Sequence, residues 1–208
     1  RDLIDSKYKN YTDQYWQKRD FSPSALIFYL GVKKKINKLI HHNLFFDKNI
    51  EVFTQDIYEH KQWPKKPLFY VCCPSKTDKT IAPDGKENIF ILMPLPIGVV
   101  DTEKLRDKYF NLIISRLEKY CNQQIIKDIE YKKSYCLKDF KADYNAYKGN
   151  AYGLANTLAQ TANLKPKITN KKVSNLLYTG QLTIPGPGVP PALISGKIVA
   201  EQITKSIK

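Results

Sequence analysis

Residues 175–203 read NLLYTGQLTIPGPGVPPALISGKIVAEQI, and the division of this stretch into elements decides the fold. The apolar run at 173–179 predicts a strand ending at Gly180, followed by a loop holding Pro185, Gly186, Pro187 and Gly188, and a helix from about Pro190. Glycines at 186 and 188 let the backbone approach a flat or anionic ligand closely. Proline in a first helical turn loses no hydrogen bond, because that amide has no partner within the helix. The positive end of the helix would then face the ligand. Ala192, Gly196 and Ala200 recur every four residues and predict a small-residue stripe that packs tightly on a neighbour. A Pro/Gly loop before an amphipathic helix accounts for the same letters without any ligand. The dinucleotide fingerprint GxGxxG is absent: the GxG is Gly186-Pro187-Gly188, and Pro191 stands where the third glycine would fall.

Working outward, residues from Tyr144 onward read YNAYKGNAYGLANTLAQTANLKPK, rich in small and aromatic side chains, so the composition shifts near Asp143. This predicts two parts, 1–143 and 144–208. In the first, residues 24–32 (SALIFYLGV) form a run apolar on both faces, as a buried strand requires. Residues 68–73 and 88–93 are two more such runs, with a turn or short lid between them at Pro74, Pro83, Asp84 and Gly85. A helix is predicted to open at Asp101, whose carboxylate would cap it, with Leu105, Tyr109, Leu112, Ile113 and Leu117 on one face. Residues 127–135 read as a fourth strand.

The 208 residues are 42% apolar and 26% charged, a composition that excludes intrinsic disorder. Their longest apolar runs fall far short of the ~20 residues of a membrane-spanning helix. The net charge of +14 is split equally between 1–143 and 144–208, and lysine supplies nearly all of it. Bidentate phosphate and base-edge contacts favour arginine, so no nucleic-acid partner is expected. An anionic membrane face suits lysine as a point charge, and ordinary surface solvation accounts for it equally.

Cys72, Cys73, Cys121 and Cys136 lack CxxC spacing and suggest neither zinc nor disulfides. A reducing, cytoplasmic compartment fits this cysteine usage and the lack of a signal-peptide pattern. The chain opens with Arg1, and its single methionine is Met93, as expected of a piece of a longer protein.

The motifs YNAYKGNAYGLA and LLYTGQLTIPGPGVPPALISGK, with the spacing between them, closely resemble the C-terminal end of bacterial and fungal-type phytoene desaturases. SPSALIFYLGV, HHNLFFD and FYVCCPSKTD with APDGKENIFILMP look like the substrate domain of that family. The resemblance covers nearly the whole chain. It implies an α/β flavoprotein of the FAD/NAD(P)-binding, amine oxidase-like fold, here as a C-terminal fragment. Residues 1–143 would belong to a polyene-binding domain built on a mixed sheet, and 144–208 would complete the FAD-binding domain.

The resemblance further implies FAD as cofactor, held by Gly180, Gln181, Pro185, Gly186, Gly188, Val189 and Pro190. Gln181 stands where several relatives of the wider superfamily carry an acid. Tyr144, Tyr147, Gly149 and Tyr152 would line the substrate face. The implied reaction is desaturation of phytoene toward lycopene, with quinone or oxygen as electron acceptor, on a peripherally bound membrane protein. Sister activities on the same scaffold are diapophytoene desaturation, other carotenoid dehydrogenations and carotenoid isomerisation.

Other candidates read more plainly from the residues. His41 and His42 are adjacent, cannot share one strand or helix face, and suggest a solvated turn and no metal site. Lys165, Lys167, Lys171 and Lys172 predict a solvated basic face, with anionic lipid headgroups as the functional alternative. Ser22, Ser24 and Ser195 lack a nucleophile-elbow context, and no catalytic residue stands out.

Overall fold

The structure, a computed structural model, describes residues 3–207. It divides into two compact units, one formed by Pro23–Ala151 and the other by the segments on either side of it. The N-terminal segment therefore belongs with the C-terminal tail, and the boundary lies between Ala151 and Tyr152, eight residues beyond the composition shift.

The Pro23–Ala151 unit carries a five-stranded sheet of β1 (Ser24–Val32), β2 (His42–Phe45), β3 (Phe69–Cys72), β4 (Glu87–Leu95) and β5 (Ile129–Tyr135), in the order β2-β3-β4-β1-β5. Every pairing is antiparallel, so the expected mixed sheet is not what forms. β4 and β5 do run in the same direction, but β1 lies between them and pairs antiparallel with both. β1 is an interior strand, between β4 and β5, and its apolar residues are buried along nearly its whole length. β4 alternates buried and half-buried positions, the mark of a sheet with one face packed and one face open. β5 is an edge, and its Lys132 and Lys133 discourage pairing with another chain.

The helix α3 (Glu103–Cys121) supplies the packed face, burying Tyr109, Phe110, Ile113, Ile114 and Leu117. Phe110 meets Phe28 of β1 edge to face at 5.1 Å. Its N-cap is Thr102, whose hydroxyl accepts from the Leu105 amide, and the left-handed Asn122 ends it. Asp101 has a different task from the expected cap. It is buried, and takes a two-pronged bond from Arg106 Nε and Nη2, both at 2.7 Å, and another from the Lys138 amide. Burial alone would raise the Asp101 carboxyl, but these donors hold it below the ordinary carboxylate range. The remaining helices of this unit are α2 (Ile50–Thr54), continued by a wider turn to Glu59, and α4 (Leu137–Tyr144).

The second unit holds α1 (Asp13–Gln17) and α5 (Val189–Ile207). Leu154 is the one large apolar side chain buried there among the described residues, beside Gln160, Lys165, Asn170, Thr183 and Ser195. Polar ties take the place of an apolar core. The Asn10 carboxamide donates to Thr169 O and accepts from the Lys171 amide, and Asn170 Nδ2 donates to Tyr8 O. A single bridge joins Phe21 to Leu154. Tyr11 and Tyr15 stack at 4.3 Å, and Trp16 meets both rings edge to face.

Candidate functional site

Residues 173–179 do not form the strand that their apolar letters predict. Asn170 Oδ1 accepts from the Lys172 and Val173 amides and turns the chain, and one bridge, Thr169 to Leu177, holds the segment beyond the turn. A strand needs a ladder of partners on a neighbour, and this segment finds only the Tyr178 to Ile168 and Asn170 to Leu176 bonds. It thus reaches Gly180 as an irregular arm.

Gly180 has φ +103, a conformation L side chains rarely adopt, and both of its backbone groups are tied. Its amide donates to Ser195 Oγ at 2.8 Å, and its carbonyl accepts from the Thr183 amide and hydroxyl. An added Cβ at Gly180 would meet nothing within 4 Å, so open space stands in front of it. Gly186 (φ +139) is buried, and a Cβ there would press on Lys165 Cε at 3.2 Å. Gly188 (φ +112) is exposed and turns the chain into α5. The start of α5 offers few free donors, because Pro190 and Pro191 have no N–H and Ala192 already donates to Gly188 O.

Of the residues expected to hold a cofactor, Gly186 is buried, Gly180 and Gln181 are half-buried, and Pro185, Gly188, Val189 and Pro190 are exposed. All lie within one loop and the first turn of α5. The residues expected to line a substrate face are divided. Tyr144, Tyr147 and Gly149 lie in the sheet unit and Tyr152 in the other. Tyr144 and Tyr152 are exposed, whereas Gly149 is buried with its Cα against Leu137.

Two features were not legible as functional letters. Lys165 is not on the solvated basic face expected for it: it is 3% exposed, while Lys167, Lys171 and Lys172 do lie in solvent. Its ammonium donates to Asn156 Oδ1 at 3.1 Å, pairs with no carboxylate among the described residues, and is pushed to lower pKa by burial. Ser195 is fully buried and binds Thr179 Oγ1, the Gly180 amide and Ala192 O. The small-residue stripe of α5 is not tightly packed, since a Cβ at Gly196 would meet Thr179 Oγ1 at an ordinary 3.9 Å and Ala200 is exposed. Beside the loop lies a cleft of about 200 Å³, bordered by Tyr11, Trp16, Tyr178, Thr179, Leu182 and Thr183.

The open face of the sheet is set by strand register. One row across it runs His42, Cys72, Phe90, Tyr29, Lys133, and the next runs Leu44, Tyr70, Leu92, Ile27, Tyr135. Phe90 meets Tyr29 at 5.6 Å and Tyr70 at 6.3 Å, both edge to face. Tyr29 and Leu44 are 41% and 65% exposed, so this face is aromatic and apolar yet uncovered by the unit's own helices.

Comparison with known proteins finds relatives along nearly the whole chain. It is 37% identical over 207 residues to a carotenoid 3,4-desaturase of Haloarcula japonica, covering 100% of this chain and 42% of that protein. It is 31% identical over 194 residues to a zeta-carotene-forming phytoene desaturase of Myxococcus xanthus, covering 90% of this chain and 37% of that protein. A 4,4'-diapophytoene desaturase of Staphylococcus haemolyticus is 31% identical over 212 residues, with 99% and 42% covered. The chain belongs to the carotenoid desaturase family. No family model matches it. The chain spans about two fifths of the length of these curated relatives. No helix among the described residues is long and apolar enough to cross a membrane.

Proposed function

We propose that this chain is part of an FAD-dependent desaturase that converts phytoene toward lycopene. The observation that carries the reading is the loop at 180–188, where three glycines hold positive φ, Gly180 faces open space, and the buried ammonium of Lys165 lies against Gly186. These residues suit a flat, electron-accepting ring. The backbone can come close to it, and the buried cation favours negative charge that develops there. Gly180, Gln181 and the 185–190 segment would hold the group, with Ser195 and Thr183 fixing the arm that presents Gly180. A flavin held there would supply a hydride acceptor for one carbon of the substrate, the neighbouring carbon losing a proton to solvent or a nearby base.

The substrate side of the proposal rests on the open sheet face. A long polyene has no polar handle, so it is bound by area, and Tyr29, Tyr70, Phe90 and Leu92 supply a flat apolar strip. The unit Pro23–Ala151 would accordingly belong to the polyene-binding domain, and the unit formed by its two flanking segments to the FAD-binding domain. Quinone or oxygen would reoxidise the flavin, and exposed lysines would meet anionic headgroups during substrate uptake from a membrane.

A second reading is desaturation of an already conjugated carotenoid at its 3,4 position. It is favoured by the higher identity to the Haloarcula protein than to the Myxococcus phytoene desaturase. The test is incubation of the protein, expressed from its complete reading frame, with FAD and either phytoene or lycopene in liposomes. FAD-dependent appearance of longer chromophores supports the first reading. Untouched phytoene with turnover of lycopene supports the second, and turnover of neither overturns both.

A further inference from the structure

Three side chains outside the proposed chemistry converge at one corner of the sheet. In β2 and β3, His42 stands directly opposite Cys72, which places both side chains on the same face. Adjacent residues of a strand would point to opposite faces, but His41 lies in a bend before β2 begins. The Asn43 side chain closes that bend, accepting from the Ile40 amide and donating to the Ile40 carbonyl. The His41 and His42 rings consequently lie with centroids 4.1 Å apart. One ligand atom from each of His41, His42 and Cys72 lies within 4.8 Å of the others.

We propose that His41, His42 and Cys72 form a binding site for a transition-metal cation of the zinc class, with a fourth position open to water. Two imidazoles and one thiolate are the donor set that zinc prefers over the hard cations magnesium and calcium. Tetrahedral zinc needs its ligand atoms about 3.4 to 3.6 Å apart, given metal–nitrogen and metal–sulfur bonds of about 2.0 to 2.3 Å. The cluster therefore closes by about 1 Å through rotation of side chains that are only partly buried.

Outer contacts already orient the rings. His41 Nδ1 lies 2.6 Å from Thr77 Oγ1, and His42 Nδ1, which also faces Cys72 Sγ at 4.0 Å, lies 2.5 Å from Tyr70 Oη. Such contacts are how metal-binding imidazoles are held in one orientation. Cys72 is also the one half-exposed thiol, because Cys73, Cys121 and Cys136 are buried. Coordination replaces the S–H bond of Cys72 with a metal–sulfur bond and releases one proton to solvent. The cation would staple β2, an edge strand, to β3 and to the turn bearing Thr77.

The test uses the purified, metal-free protein titrated with Zn²⁺, and with Co²⁺ as a spectroscopic probe. The expected result is one cation per chain and a thiolate-to-cobalt charge-transfer band that Cys72→Ser abolishes. His42→Ala and Thr77→Val should weaken affinity, the latter by about tenfold. A readout that does not depend on any variant folding is alkylation of Cys72 in the unmodified protein, which one equivalent of Zn²⁺ should slow. Absence of the band, binding unchanged in Cys72→Ser, or alkylation indifferent to Zn²⁺ would each overturn the site.

Discussion

Ser195 Oγ lies 2.8 Å from the Gly180 amide nitrogen and accepts its hydrogen, so a side chain of α5 holds the strained glycine at the head of the loop. The same oxygen lies 2.7 Å from Thr179 Oγ1 and donates to Ala192 O at 2.8 Å. One hydroxyl thus joins the arm, the glycine and the helix. Removing it leaves the half-buried Gly180 amide without its partner. Ser195→Ala should cost about 1 to 3 kcal/mol, read as a lower midpoint in urea unfolding, together with weaker flavin retention. Unchanged stability would show that the clip is dispensable.

Gly188→Val places a β-branched residue at φ +112 with its Cβ 3.3 Å from Pro191 Cδ. The loop must change shape to accept it, and stoichiometric flavin should be lost while the sheet unit keeps its secondary structure. Flavin retained at full stoichiometry would contradict the assignment of this loop to the cofactor.

Gly149→Ala is expected to damage the fold and not the chemistry. Gly149 has φ +70, and a Cβ would lie 2.7 Å from Leu137 O, a backbone atom with little freedom to move. Ser24 Oγ also donates to the Gly149 carbonyl. The strain and the clash together should cost at least about 2 kcal/mol, seen as a lowered melting temperature. An unaffected melting temperature with altered polyene binding would return Gly149 to the substrate face.

Lys165→Met tests the buried ammonium. Its folded pKa is lowered by burial, so the unfolded chain binds the proton more tightly and the charge lowers stability at neutral pH. The penalty fades as pH rises toward the ordinary lysine pKa of about 10.4. The methionine variant should melt higher than the parent at pH 7, with the gap narrowing toward pH 10, and flavin affinity should fall. A gap independent of pH would mean that the charge is not what burial opposes.

The Arg106 and Asp101 pair sets the acid limit of the sheet unit. A carboxyl held below its unfolded pKa contributes stability that is complete above that value and is lost as pH falls through the folded pKa. Unfolding should therefore steepen below about pH 4. Arg106→Met leaves Asp101 buried without its guanidinium and should cost about 3 to 5 kcal/mol at neutral pH. It should also flatten the acid limb, which a series of urea melts from pH 3 to 7 would measure.

Much was decided by the letters alone. Runs apolar on both faces located β1, β3 and β4 within a residue or two, and the spacing of Tyr109, Ile113 and Leu117 located α3, because burial period is a local property of the chain. The loop glycines and the start of α5 were equally legible, since positive φ and a proline-bearing first turn are written in single residues. Family membership was legible in the same stretch. Tertiary structure decided what depends on partners distant in sequence. Residues 173–179 stay irregular because no neighbouring strand completes their ladder. Asp101 serves Arg106 and Lys138 instead of capping α3, Lys165 is enclosed beneath Gly186, and Ser195 meets Gly180 across fifteen residues. His42 finds Cys72 only through the pairing of β2 with β3. Periodicity records which side of an element is buried, whereas what lies on the other side of that contact is settled only when the chain closes on itself.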